Sequence, residues 1–263
     1  MINEVRISTE EDLKKLFFAN IEKNAFGRVR STYLYRGLNR ADYKLETTLQ
    51  RNCGSKAFEL EAFLLRNFKK YVSIINPTVN ESDWKAMIVG QHHGLPTRLL
   101  DWTLSMPMAL HFAVTENNLD DMDKNDCVIW GIDSEEINEK LPKQYAEKAK
   151  TNVLTLKELE GIVDQLPTYD RAMGDKSFVI IEPPSIDQRI VNQYSFFSIM
   201  PSGITDLDSF LIKNTTKTVK YIIDKNLRWL LRDMLDQWNI NERSVYPGID
   251  GIATWLKRYY YAK

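Results

Sequence analysis

Gln91-His92-His93-Gly94-Leu95-Pro96-Thr97-Arg98-Leu99-Leu100-Asp101-Trp102 is the stretch from which the rest of the chain is read. It holds two of the three histidines together with a glycine, a proline, an arginine and an aspartate; the third, His111, follows within Ser105-Met106-Pro107-Met108-Ala109-Leu110-His111-Phe112-Ala113, an apolar helix. A dense polar run wedged between two apolar helices is costly unless its groups are paired or used. Gly94 suits the left-handed end of a helix that begins near Glu81-Ser82-Asp83-Trp84, and Pro96 keeps that helix from resuming. Thr97, Arg98 and Asp101 then fall in a short connecting segment. Two readings of them stay open. In one, Asp101 caps the next helix or pairs with Arg98 while a histidine satisfies a carbonyl. In the other, the segment lines a polar cleft whose arginine and histidine donate to an anionic ligand.

Working outward toward the N-terminus, Phe58, Leu60, Leu64, Leu65, Phe68 and Tyr71 give a helix over about 55–75 a broad apolar face, which predicts a central position. Before it, Thr32-Tyr33-Leu34-Tyr35-Arg36-Gly37 is rich in β-formers and stops at a glycine, so it reads as a strand that delivers Arg36 to a rim. Ser8-Thr9-Glu10-Glu11-Asp12 has the hydroxyl and early acids of a helix start, with Leu13, Leu16, Phe17 and Ile21 as its stripe. Toward the C-terminus, Cys127–Ile132 reads as a buried strand, and residues 134–168 as a charged, solvated helical insertion. Ser177–Glu182 is a strand closed by Pro183-Pro184. A helix-like turn carrying Arg189, Asn192 and Gln193 leads to an aromatic strand at Phe196-Phe197. Another strand at Thr218–Ile223, a helix over Leu227–Trp238, a turn at Tyr246–Ile252 and a last helix with Trp255 complete the chain. Strands and helices do not alternate regularly. The predicted class is α+β: one domain over residues 1–263, with a mixed or split β-sheet core and abundant peripheral helices.

Composition narrows the function classes. The chain has 263 residues, 43% hydrophobic and 27% charged, as expected of a soluble globular protein with a real core. A net charge of -1 gives no global basic field for nucleic acid. Cys53 and Cys127 form no close pair and no metal spacing, which suits a reducing cytosol, and the N-terminus has no secretory pattern. No stretch approaches the roughly 18 apolar residues of a membrane span. The expectation is a cytoplasmic protein without membrane contact. Phosphate-binding glycine loops, a nucleophile elbow and zinc spacing are all missing, so no metal is expected. A catalytic site here would be built from arginine, histidine, threonine and glutamine.

Tyr35-Arg36-Gly37, the run Gln91–Trp102 with Ala109-Leu110-His111-Phe112-Ala113, and Gln188-Arg189-Ile190-Val191-Asn192-Gln193 together resemble the FRG domain, named for its Phe/Tyr-Arg-Gly motif. The closing Tyr246-Pro247-Gly248-Ile249-Asp250-Gly251-Ile252-Ala253 is similar to that family's last segment, so the resemblance spans about 30–257. It departs at Tyr194, where the family tends to have glycine. The order of motifs is similar to that of ADP-ribosyltransferases, which implies an ADP-ribosyltransferase-like sheet and NAD as substrate. On that likeness Arg36 binds the pyrophosphate or ribose, Thr97 and Arg98 hold the nicotinamide half, and Gln193 takes the late catalytic position. Glu182 is the nearest residue to supply a carboxylate, which glutamine lacks. The resemblance thus groups Gln193, Glu182 and His92 as catalytic and Arg36, Gly37, Thr97, Arg98 and Asp101 as NAD-binding. The acceptor would be a protein or nucleic acid, the role that of a toxin or phage-defence effector, with an antitoxin as a further partner. A non-catalytic module that clamps a nucleotide or other anion with the same arginines is the alternative.

Overall fold

The computed structural model describes residues 2–23, 26–186 and 188–262. Among these the strands, in chain order, are β1 Asn3–Ile7, β2 Glu22–Lys23, β3 Val29–Arg30, β4 Tyr33–Leu38, β5 Leu99–Thr103, β6 Cys127–Asp133, β7 Leu154–Thr155, β8 Val179–Glu182, β9 Ser195–Ile199 and β10 Val219–Ile223. Eight of them form one mixed sheet in the order β1-β10-β6-β4-β5-β9-β8-β7, and β2 and β3 pair separately. The pairings β1 with β10 and β7 with β8 are parallel, and the others in the sheet are antiparallel. The fold is therefore α+β.

Alternation along the strands sorts side chains onto two faces. Leu34, Leu100, Val128, Trp130, Ile180 and Phe196 pack together on one face, under the helix Leu207–Asn214. The opposite face carries two separate cores. One joins Tyr35, Ile129 and Tyr221 to the helices Glu10–Leu16, Met106–Ala113 and Arg228–Gln237. The other joins Leu99, Ile181 and Phe197 to the helices Asp83–His92 and Leu166–Met173. β6 is buried at all positions, as its unbroken apolar run requires.

Several elements differ from their sequence reading. The segment around Asp101 is a strand in mid-sheet, β5, whose short length and embedded aspartate hide it from a β-former count. The helix Ala57–Val72 is peripheral: its buried residues are Ala57, Glu61 and Leu65, while Phe63 and Tyr71 are exposed. It docks through Glu61 together with a narrow apolar stripe of Leu65, Phe68 and Val72. Residues 134–168 include helices with charged outer faces, but Tyr145, Leu154, Leu159 and Leu166 are buried against Trp84 and Ile181, and β7 extends the sheet. The helix Arg228–Gln237 buries Arg228 and Arg232 beside Leu231 and Leu235, while Trp238 is half exposed.

Those buried arginines bind local acceptors. Arg228 pairs with Glu116 at 2.7 Å and donates to the Ala113 carbonyl at 3.2 Å. Arg232 donates to His111 Nδ1 at 2.8 Å and to the Ile240 carbonyl. A guanidinium has only donors, so His111 accepts there and is neutral, its proton on Nε2. Burial, and then Arg232 and Arg258, push the His111 pKa well below its ordinary 6.5. The unfolded chain therefore takes up a proton at His111 that the folded chain refuses, and stability falls as pH drops through 6.5. From pH 7.5 to 5.5 His111 alone should remove about 1.4 kcal/mol, read as the pH-dependent difference between wild type and His111→Gln in urea unfolding. An identical pH dependence in both proteins would contradict this.

Candidate active-site cleft

β4 and β5 are paired at a single position, Tyr35 opposite Thr103, whereas β4 and β6 pair from Tyr33 to Leu38. Beyond the Tyr35–Thr103 bridge, β4 and β5 have no further ladder pairs, and the sheet opens where the two cores of that face meet. Arg36 spans this gap: its Nη1 donates to the Asp101 carbonyl at 2.7 Å and lies 3.5 Å from Asp101 Oδ2. Its side chain is 16% exposed, and Nε is buried without a partner. Burial pushes the Arg36 pKa down and Asp101 pushes it back, so the group stays a cation held at the edge of solvent.

The gap is the floor of a cleft of about 370 Å³. Arg36, Asp101 and Thr103 come from the sheet, Phe112 and Thr115 from the end of the apolar helix region, and Gln193 and Tyr246 from the C-terminal half. Arg189 stands with its guanidinium 5.3 Å from the Tyr246 ring centroid, a cation–π arrangement. Arg189 and Tyr246 also line a second hollow of about 390 Å³ with His92, Asp250 and Thr254. The cleft thus has two lobes that share one wall. Two larger hollows, of about 540 and 510 Å³, lie at Trp229–Asp233 and at Phe58–Arg98 and include none of Arg36, Asp101 or Gln193. Among the described residues, no group of three or more His, Cys, Asp or Glu could hold a metal ion, and no helix is long and apolar enough to cross a membrane.

Of the residues singled out in the sequence, Arg36, Gly37, Asp101 and Gln193 line the inner lobe, and His92, at the end of the helix Asp83–His92, lines the outer one. Gln193 is buried; its Nε2 donates to the Val245 carbonyl at 3.4 Å, and its own carbonyl accepts from Thr103 Oγ1 at 2.8 Å. Asn192 donates to the Ser244 carbonyl at 2.9 Å, so the short helix Gln188–Asn192 is laced to the Tyr246 segment. Tyr194 then turns the chain with φ of 49°, the left-handed region that favours glycine. That is the physical reason for a glycine preference at this position.

The other residues lie elsewhere. Arg98 is buried between Glu61 and Asp170. Thr97 is buried behind the cleft, where its hydroxyl donates to Gln91 Oε1 and accepts from the Leu99 amide at 3.2 Å. Glu182 ends β8 opposite Thr155, exposed, two strands away from β5 and outside the cleft lining. The carboxylate of the inner lobe is instead Asp101, which the sequence grouped with ligand binding. Arg189 and Tyr246 were visible as motif residues, but nothing in the sequence signalled that they stack.

Residues 31–122 match the family model of the FRG domain. That span contains Arg36, the run Gln91–Trp102 and His111, and stops before Arg189, Gln193 and Tyr246. No curated protein and no solved structure matches the chain.

Proposed function

We propose, starting from the match of residues 31–122 to the family model of the FRG domain, that the two-lobed cleft binds NAD as a substrate and transfers its ADP-ribosyl group to a protein or nucleic-acid acceptor. The observation that carries this reading is the meeting of Arg36, Asp101 and Gln193 in one lobe that shares Arg189 and Tyr246 with a second. A bipartite site suits a bipartite ligand. Arg36 offers the pyrophosphate or ribose charge-assisted hydrogen bonds, and the Tyr246 ring offers an aromatic face. Displacement of nicotinamide needs mainly positioning and a field that favours positive charge at the ribose, which a cleft with one ionisable acid can supply. The ADP-ribosyltransferase-like architecture belongs to this proposal, as does the setting of a cytoplasmic toxin or phage-defence effector held in check by an antitoxin. The position of Glu182 outside the cleft favours a second reading, a non-catalytic module that binds a nucleotide through Arg36.

Labelled NAD incubated with the protein, alone and with cell lysate, tests both. Nicotinamide release or label transfer is expected from the wild type. Arg36→Ala should weaken NAD binding roughly 10- to 150-fold, the value of a hydrogen bond to a charged group. Binding that depends on Arg36 without any turnover moves the protein to the second reading. Neither turnover nor binding overturns both.

A further inference from the structure

Aspartate is disfavoured inside strands, and β5 buries Leu99, Leu100, Trp102 and Thr103 while leaving Asp101 exposed. Such a residue in mid-sheet is costly unless its carboxylate is held. Two groups hold it. Gln91 Nε2 donates to Asp101 Oδ2 at 3.0 Å, and Arg36 Nη1 lies 3.5 Å from the same oxygen. The orientation of Gln91 is itself fixed from behind. Thr97 Oγ1 accepts from the Leu99 amide at 3.2 Å and donates its own hydrogen to Gln91 Oε1. The carboxylate only accepts, so the Gln91 amide nitrogen faces Asp101 and its Oε1 faces the threonine hydroxyl. The relay runs from backbone amide to threonine, to glutamine, to aspartate, and every member donates toward the carboxylate. Both bonds fall on Oδ2, and the side chain remains 54% exposed, so Oδ1 is open to a ligand in the lobe.

Resting on the NAD reading above, we propose that Asp101 is the catalytic carboxylate of the cleft and that Gln91 and Thr97 are its positioning residues. As the ribosyl C1′–N bond breaks, its electron pair goes to the nicotinamide nitrogen, which leaves as neutral nicotinamide. Positive charge develops at C1′ and the ring oxygen, where the fixed negative charge of Asp101 stabilises it. A lone pair of the acceptor, or of water in hydrolysis, forms the new bond to C1′ and the acceptor's proton passes to solvent. Asp101 needs no proton of its own in this role, which agrees with a relay made only of donors to it. The assignment also explains how a chain with glutamine at position 193 and Glu182 outside the lobe retains an anionic group where the reaction needs one.

The test uses the full chain with NAD and NADH. NADH lacks the positive nicotinamide ring, so the wild type should bind NAD more tightly than NADH in calorimetry, and Asp101→Asn should erase that preference. The variant's kcat should fall roughly 100-fold, in the range found when one electrostatic group of an active site is removed. Thr97→Ser keeps the relay hydroxyl and should keep kcat, whereas Thr97→Val should lower kcat with KM little changed. Wild-type preference and kcat in Asp101→Asn overturn the assignment, and so does equal affinity of the wild type for the two ligands. Equal kcat in Thr97→Ser and Thr97→Val removes the positioning roles. A wild type that binds neither ligand overturns the NAD reading itself, which separates the two failures.

Discussion

Arg98→Met should lower the unfolding free energy by about 3–5 kcal/mol, the cost of removing one partner of a buried ion pair. Arg98 and Glu61 have side chains 2% and 3% exposed, and Nε of Arg98 donates to Glu61 Oε1 at 2.8 Å. The Nη1 atom reaches Asp170 Oδ1 at 2.6 Å, and the guanidinium carbon lies 5.0 Å from the Phe58 ring centroid. Glu61 and Asp170 together hold the guanidinium charged despite its burial. Without it, Asp170, 18% exposed, can hydrate, but Glu61 cannot. The penalty is therefore that of an orphaned carboxylate under the helix Ala57–Val72, more than that of a lost contact. The double variant Arg98→Met with Glu61→Leu should regain the larger share, because two apolar groups replace two desolvated charges. NAD affinity of the folded protein should stay unchanged in both, since Arg98 lies outside the cleft. Urea unfolding with calorimetry checks the pair of claims. A stable Arg98→Met that has lost ligand binding would return Arg98 to the ligand role that the resemblance implies.

The Arg98 case shows which part of the fold could be read in the sequence. Strands with runs of β-formers announce themselves: Cys127–Asp133 is buried at all positions, and Val219–Ile223 alternates buried with half-buried residues. Helix starts with a hydroxyl followed by acids are equally plain: Thr9 forms a full capping box with Asp12. Elements whose burial rests on charge are not. The apolar periodicity of the helix over 57–72 suggests a central face, but Glu61 fixes the rotation by pairing with Arg98, and Phe63 and Tyr71 turn outward. β1 was also invisible: five residues with one buried member, held by parallel pairing to β10 from the far end of the chain. Its contact spans the whole sequence, and local pattern carries no trace of that.

For the cleft, the motif run gave the right neighbourhood but not the facing. Thr97 and Arg98 precede β5, and only Asp101 lies in it. The Thr97 hydroxyl turns to Gln91, Arg98 to Glu61 and Asp170, and Asp101 alone of the three lines the lobe. The signal that was available is the aspartate itself, out of place in a strand and four positions beyond a threonine and ten beyond a glutamine that hold it. The stacking of Arg189 on Tyr246 joins segments far apart in sequence and follows from the Asn192 and Gln193 bonds to the 244–245 carbonyls.

Gly37→Ala is expected to cost on the order of 3 kcal/mol or more, at the upper end of overpacking, and to abolish NAD binding in the same step. A Cβ on Gly37 would collide with the Ala109 carbonyl oxygen and come within 2.8 Å of the Ala113 amide nitrogen. Both are backbone atoms of the helix Met106–Ala113, so no rotamer change relieves the clash. The helix must move off β4, and Phe112 and Thr115, which line the inner lobe, move with it. Arg36 precedes the altered residue and would lose its register against Asp101. Gly94→Ala is the control that separates this from ordinary glycine effects. Gly94 has φ of +83° and open space where a Cβ would sit. It should lose only about 1–2 kcal/mol to left-handed strain, with NAD affinity retained. Urea unfolding and calorimetry on the two variants decide between close packing and ligand contact as the reason for glycine at position 37. Full stability with lost binding in Gly37→Ala would mean that the ligand, and not the helix, occupies the space beside it. A large loss of stability means that the Tyr-Arg-Gly corner is built first to seat the helix, and only through the helix to shape the cleft.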